Sequence, residues 1–253
     1  MPVIGLGTWR LEDGEETEAA TAEALETGYR LIDTAKIYGN ERSVGKAIRE
    51  SGIDRAEIFV TTKLWTREQG YDSALRALDD SLERLGLEYV DLYLIHWPGH
   101  DDHLRTESWK ALSQLHAEGR AKAVGVSNYE VSHLQELMVE SSLVPAVNQI
   151  PFHPFVYQEQ IPTLKLCQSR GIVIEAYSPL ARGRPMKDPR LEKIARNNGK
   201  SVAQVMLRWA IQHGAVPIPK SANPGRIREN FEVFDFELDE QDMAALDSLS
   251  TER

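Results

Sequence analysis

The chain has 253 residues, 42% of them hydrophobic and 27% charged, with a formal net charge of −10 at pH 7. That balance opposes a general affinity for nucleic acid or for anionic membrane surfaces, which need clustered cations, and no apolar run approaches the roughly 20 residues of a membrane helix. A single cysteine, Cys167, excludes an internal disulfide, and the start at Met1-Pro2-Val3-Ile4 lacks the basic and long apolar segments of a secretory signal, so a soluble protein of the reducing cytoplasm is expected.

Short runs rich in β-branched residues alternate with segments of helical period, the pattern of parallel strands joined by crossover helices. Strands are predicted at 4–8, 30–33, 58–63, 90–96, 121–126, 146–149, 172–177 and 215–219. Over 72–85, Leu75, Leu78, Leu82 and Leu85 recur at helical spacing, and Gly86 supplies a permissive stop. Two helices fit between the last two strands, at 190–197 and 202–213, and one of them is an insertion; Gly199-Lys200-Ser201 separates them as a stop followed by a serine N-cap. The segment 239–249 has the acidic start and spaced Met243, Leu246 and Leu249 of a final helix packed outside the rest. No linker or low-complexity stretch divides the chain, which predicts one domain over 1–253. The fold class expected is α/β, a (β/α)8 TIM barrel with extra helices near the C-terminus, a fold of typically about 250 residues.

Right-handed crossovers turn every strand's C-terminal end to one face, where barrel enzymes place their chemistry. Asp33, Lys63, His96, Ser127 with Asn128, Gln149, Tyr177 with Ser178, and Lys220 with Ser221 fall at those ends, and Tyr38 follows in the loop after Asp33. A tyrosine is a poor acid or base at neutral pH unless a cation stabilises its phenolate; Lys63 is placed to do so, and Asp33 to hold Lys63 charged. Singly, an Asp–Lys pair can be a structural ion pair and a strand-end histidine can serve only backbone groups. Together, rimmed by Trp9, Trp65 and Trp97, they point to a catalytic pocket. The lone cysteine and scattered histidines form no metal-ligand spacing, so no metal is expected. Farther on, Asn223-Pro224 reads as an N-cap and first helical position, which sets Lys220 and Arg226 beside a helix N-terminus. Backbone N–H groups and cations there suit a phosphate, although a solvated basic surface is the plainer alternative.

Three separated segments resemble the aldo-keto reductase family: Gly28 through Asp33-Thr34-Ala35 and Tyr38 to Asn40-Glu41 and Gly45; Lys122-Ala123-Val124-Gly125-Val126-Ser127-Asn128-Tyr129; and Ile218-Pro219-Lys220-Ser221 continuing to Arg226, Glu229 and Asn230. Lys63-Leu64-Trp65 and His96-Trp97-Pro98 stand between them in order. The match spans most of the chain and is closest to short bacterial members similar to 2,5-diketo-gluconate and methylglyoxal reductases. It implies an NADPH-dependent reductase of small aldehydes and ketones in which Tyr38 protonates the carbonyl oxygen as hydride arrives, His96 orients the carbonyl, and Lys63 with Asp33 tunes the tyrosine.

The resemblance further implies that Ser127, Asn128 and Gln149 hold the nicotinamide carboxamide and that Tyr177 stacks on the ring. Ser178 and Leu180 would lie at the pyrophosphate, Lys220, Ser221 and Arg226 at the 2′-phosphate of NADP(H), and Glu229 and Asn230 near the adenine. Ser127-Asn128 as a helix cap, and Gln149 as a filler of a polar barrel end, remain open. A Rossmann domain is unsupported, because Gly5-Leu6-Gly7 lacks the third glycine of the fingerprint. The short segment after Pro98, and the end at Arg253 soon after the last helix, imply an open, weakly discriminating pocket, and the resemblance implies a monomer. Two other functions fit parts of the pattern: a noncatalytic nicotinamide-binding redox sensor or regulatory subunit, and a Schiff-base aldolase using Lys63.

Overall fold

Eight parallel strands lie in sequential order in one sheet: β1 (Leu6–Gly7), β2 (Leu31–Asp33), β3 (Phe59–Leu64), β4 (Val90–Ile95), β5 (Ala121–Ser127), β6 (Val147–Pro151), β7 (Val173–Tyr177) and β8 (Val216–Pro217). They belong to a computed structural model that describes residues 1–250; residues 251–253, the end of the expected 1–253 unit, lie outside the described residues. The sheet curls until its edges meet, with Gly5 N–H donating to Pro217 O at 3.0 Å and Gly7 N–H to Pro219 O at 3.1 Å. β1 and β8 are shorter than the segments 4–8 and 215–219 suggest. Pro217 and Pro219 can accept at this seam but have no N–H to return, so the last ladder is one-sided.

Among the described residues there are ten α-helices: α1 (Glu15–Thr27), α2 (Glu41–Glu50), α3 (Tyr71–Leu85), α4 (Asp102–Ala117), α5 (Val131–Glu140), α6 (Tyr157–Arg170), α7 (Pro189–Asn197), α8 (Val202–Gln212), α9 (Pro224–Phe231) and α10 (Glu240–Ser248). Helix α8 packs on β8 and α9 closes the ring against α1, which leaves α7 as the insertion, lying on α8. Ser201 caps α8 in a reciprocal pair with Gln204. Helix α10 sits outside the ring, tied down where the Asp247 carboxylate accepts from Trp209 Nε1 at 2.7 Å and meets His213 Nε2 at 2.9 Å. On α3 the buried face is Ala74, Ala77, Leu78, Ser81, Leu82 and Leu85, whereas Leu75 is only half-buried. The expected leucine stripe is therefore shifted toward the small residues that let α3 approach its neighbours. Gly45 of α2 shows how close that approach is, because a β-carbon there would overlap the carbonyl of Leu85. Gly45→Ala is expected to destabilise the fold by about 1–3 kcal/mol through overpacking, measured as a lowered denaturation midpoint.

Strand residues alternate between two faces. One set, including Ile32, Val60, Tyr93, Ile95, Val126 and Ile174, packs under the helices in the main core. The other set fills the barrel in two smaller clusters, Leu31, Val216 and Ile218 in one and Leu92, Leu94 and Val147 in the other. Asp33, Lys63, Gln149 and Glu175 keep the inward register, two residues along from Leu31, Thr61, Val147 and Val173. The barrel interior is thus apolar below and polar toward the C-terminal mouth.

Candidate active site

Lys63 is fully buried, and its Nζ donates to Asp33 Oδ2 at 2.6 Å, Asp33 Oδ1 at 2.8 Å and Thr34 O at 2.8 Å. Three short acceptors use the three hydrogens of an ammonium, so Lys63 is charged. Burial works against that charge, and the neighbouring Asp33, Tyr38 and Glu175 outweigh it, leaving Lys63 above the ordinary lysine value. Burial likewise pushes the Asp33 carboxyl up, with Lys63 and Gln149 pulling it back. The two-point contact with an ammonium keeps it a carboxylate.

Tyr38 Oη stands 3.4 Å from Lys63 Nζ. Lys63 lies where it favours the phenolate, as expected, but burial works against it. With its hydrogens committed to Asp33 and Thr34, Lys63 offsets only part of the effect of burial, and the phenol is pushed up to about 12. Tyr38 is therefore protonated at neutral pH and has a proton to give. His96 packs edge-on to both Tyr38 and Trp65, with ring centroids 5.8 and 5.4 Å away. Burial, and secondarily the charge of Lys63, lowers its pKa to about 3, so the imidazole is neutral. Its Nδ1 is buried without a hydrogen-bond partner among the described residues. An unpaired buried acceptor is tolerated better than an unpaired N–H, which assigns the ring proton to Nε2.

Around β5, β6 and β7 the polar residues form one network. Ser127 Oγ donates to Gln149 O at 2.9 Å; Asn128 Nδ2 donates to Ser127 Oγ and His96 O, both at 3.0 Å; and Tyr177 Oη donates to Asn128 Oδ1 at 2.8 Å. Asn128 and Ser178 have φ of 62° and 48°, the left-handed conformation that turns the chain sharply at the strand ends. Ser127 and Asn128 do not cap α5: its N-cap is Glu130, in a reciprocal pair with His133. Gln149 is more than a filler, because its Nε2 donates to Asp33 Oδ2 at 2.8 Å and to Glu175 Oε2 at 2.6 Å. Both amide hydrogens are thereby used inside the protein, and only its carbonyl oxygen is left for a carboxamide.

Asn223 caps α9 by accepting from Arg226 N–H at 3.0 Å, with Pro224 at the first helical position. Ser221 Oγ accepts from Asn223 N–H at 3.0 Å and fixes the turn. Lys220 and Arg226 are exposed, and neither is ion-paired among the described residues. Asn230 is buried and Glu229 half-buried on the same helix. Two exposed cations without ion-pair partners among the described residues, beside the N-terminus of α9 where Gly225 N–H is left over, are a donor set that a phosphate fits. The three tryptophans are not equivalent. Trp65 touches His96; Trp97 is 46% exposed and held through its carbonyl by Gln69; Trp9 is 38% exposed, with the guanidinium carbons of Arg10 and Arg182 4.4 and 5.3 Å from its ring centroid. A groove of about 520 Å³ over the ends of β6 and β7 includes Tyr177, Ser178, Arg182 and Arg184, and Leu180 lies half-buried in the same loop.

Sequence reasoning missed Glu175, Arg10 and Arg182. Glu175 left a signal, an acidic residue inside an apolar strand, two positions before Tyr177 and so on the same face. Arg10 and Arg182 left none, because two distant loops bring them together.

The Aldo/keto reductase family model matches residues 3–251. The 9,11-endoperoxide prostaglandin H2 reductase of Trypanosoma cruzi (strain CL Brener) is 50% identical over 256 residues, covering 100% of this chain and 89% of that protein. The glyoxal reductase of Bacillus subtilis (strain 168) is 48% identical over 250 residues, 99% of this chain and 89% of the relative. Among solved structures, a Bombyx mori aldo-keto reductase in complex with NADP superposes with a TM-score of 0.92 at 38% identity, over 100% of this chain and 91% of that one.

Proposed function

The chain belongs to the aldo/keto reductase family and is an NADP(H)-dependent carbonyl reductase, and on that premise we propose that Tyr38 is its proton donor, with His96 as the group that receives the carbonyl. The observation that carries this assignment is the Tyr38 hydroxyl 3.4 Å from the buried Lys63–Asp33 pair, with the His96 ring edge-on beside it. Bound NADPH supplies the hydride. His96 Nε2–H donates to the carbonyl oxygen and fixes its direction, and Tyr38 Oη–H delivers a proton to that oxygen as the carbon is reduced. The phenolate left behind gains from the fully buried Lys63, 3.4 Å away, whose charge counts for more there than in water. Ser127, Asn128 and the Gln149 carbonyl hold the carboxamide, Tyr177 backs the ring, and Ser178 and Leu180 line the course to Lys220, Ser221, Arg226, Glu229 and Asn230. Trp65 walls the substrate side beside His96, with Trp9 and Trp97 forming the outer rim.

Lys63 cannot serve as the aldolase nucleophile in this arrangement. A Schiff base needs a neutral, reachable amine, and this one is fully buried with all its hydrogens committed. A redox sensor would have no use for an acid and a carbonyl-orienting imidazole at the same mouth. NADPH consumption with methylglyoxal, an aromatic aldehyde and a diketo sugar acid tests the assignment, in wild type against Tyr38→Phe. The phosphate reading has its own test. Arg226→Ala is expected to raise KM for NADPH about 10–100-fold, the worth of a hydrogen bond to a charged group, and to leave KM for NADH within about two-fold. Equal effects on both cofactors would remove Arg226 from the 2′-phosphate.

We infer further that residues 1–253 work as one unit, as a monomer in the cytoplasm. A closed barrel leaves no open strand edge for pairing with a second copy, and the one cysteine, Cys167, is buried, which suits a reducing compartment.

A further inference from the structure

Two carboxyl groups face the barrel interior, and the reductase mechanism uses only Asp33. The other, Glu175 on β7, is completely buried; Gln149 pairs with it across β6 and β7, and Val216 of β8 flanks it with an apolar side chain. Its Oε2 accepts from Gln149 Nε2 at 2.6 Å, the same nitrogen that donates to Asp33 Oδ2, while its Oε1 has no partner. A continuous chain of contacts therefore runs from Glu175 through Gln149, Asp33 and Lys63 to Tyr38 Oη. We propose that Glu175 is a positioning residue whose charge, carried through Gln149 and Asp33, sets how readily Tyr38 gives up its proton. The proposal rests on Tyr38 being the proton donor.

Charge accounting gives the direction. With Glu175 neutral, the Lys63 ammonium and the Asp33 carboxylate cancel, and the phenolate formed at Tyr38 meets no net opposing charge. Ionising Glu175 leaves the interior with one excess negative charge in a low-dielectric space, which disfavours that phenolate and weakens Tyr38 as an acid. The ionisable groups facing Glu175 are Asp33 of β2 and Lys63 of β3, with Tyr38 beyond Lys63 and the neutral His96 just after β4. Burial first, then the Asp33 charge, pushes Glu175 up to about 8, with Gln149 and Lys63 opposing. Glu175 is thus neutral at pH 6 and ionised by pH 9.5, and the wild-type rate is restrained only in the upper range.

The test measures kcat/KM for carbonyl reduction and for oxidation of the corresponding alcohol from about pH 6 to 9.5 in wild type, Glu175→Gln and Glu175→Leu. Glutamine keeps the shape of the neutral acid. Leucine removes the polar group altogether and keeps the question answerable if glutamine disturbs the fold, which melting curves and NADPH affinity report. The ratio of variant to wild type is expected to rise from pH 6 to pH 9.5 by about 2–5-fold, equally in both directions of the reaction, because the two directions share one transition state. A ratio that stays constant with pH, whatever its size, overturns the charge role and leaves Glu175 a packing residue. A wild type whose turnover survives Tyr38→Phe overturns the proton-donor reading itself, and the role of Glu175 with it.

Discussion

Replacing Tyr38 by phenylalanine is expected to lower kcat for carbonyl reduction by about 10²–10⁴-fold, the usual worth of a positioned general acid, with NADPH affinity within about two-fold of wild type. The phenol hydroxyl stands 3.4 Å from Lys63 Nζ, and no other hydrogen bond among the described residues holds it, so its removal leaves the Lys63–Asp33–Gln149 contacts in place. The ring itself still packs edge-on against His96. The loss should therefore fall on kcat and spare both cofactor binding and the melting temperature. Single-turnover kinetics with an aldehyde, together with fluorescence titration of NADPH, check both halves. Unchanged turnover would require another acid, and His96, neutral with a pKa lowered to about 3, does not supply a strong one.

Lys63→Met is expected to cost both stability and activity. Breaking a buried ion pair by removing one partner destabilises by about 3–5 kcal/mol, because the remaining charge is left uncompensated. Here Asp33 would keep a single Gln149 N–H, with Glu175 sharing the same nitrogen, and Thr34 O would lose its donor. The pH dependence has a definite sign. Burial already raises Asp33 above its unfolded value, and without Lys63 nothing cationic opposes that rise. A carboxyl raised in the folded state stabilises below its unfolded pKa, and that contribution is lost as pH climbs through the folded value. Lys63→Met should therefore approach wild-type stability in acid and fall away from it toward neutrality, as followed by urea midpoints across the pH range. Adding Asp33→Asn should restore much of the stability at neutral pH and none of the turnover, which separates what the pair does for the fold from what it does for Tyr38. A single variant that is equally unstable at all pH values would mean that lost packing, not an abandoned charge, sets the cost.

The order and kind of the elements were legible in the sequence because they follow from local periodicity. Runs such as Val90–Ile95 and Ala121–Ser127 are apolar on both faces, as strands covered by helices outside and by the barrel filling inside must be. Turn chemistry located the ends: Gly86 adopts φ of 64° after α3, and Ser201 and Asn223 cap their helices where their sequence context placed them. The catalytic candidates were legible for a related reason. In a barrel with right-handed crossovers the C-terminal end of every strand is on one side, so position along a strand specifies position in space. Asp33, Lys63, His96, Gln149 and Tyr177 needed no further information to be gathered at one mouth.

What periodicity could not convey was the balance of energies inside that mouth. Tyr38 next to a lysine reads as a phenol whose phenolate that lysine favours; in the folded chain burial outweighs the lysine, since Asp33 and Thr34 O have taken its three hydrogens. That outcome depends on how many acceptors converge on Lys63 Nζ, which long-range packing sets. The role of Glu175 was hidden for the same reason, because its consequence arises only through a glutamine from the neighbouring strand and an aspartate across the barrel. Trp9 looked like one of three equivalent walls until the loop after β7 brought Arg182 to join its neighbour Arg10 against it. Strand order, face and mouth are consequences of local pattern and chirality and belong to the sequence alone; protonation, donor allocation and cross-barrel contacts depend on distances between residues far apart in the chain, which only the closed barrel determines.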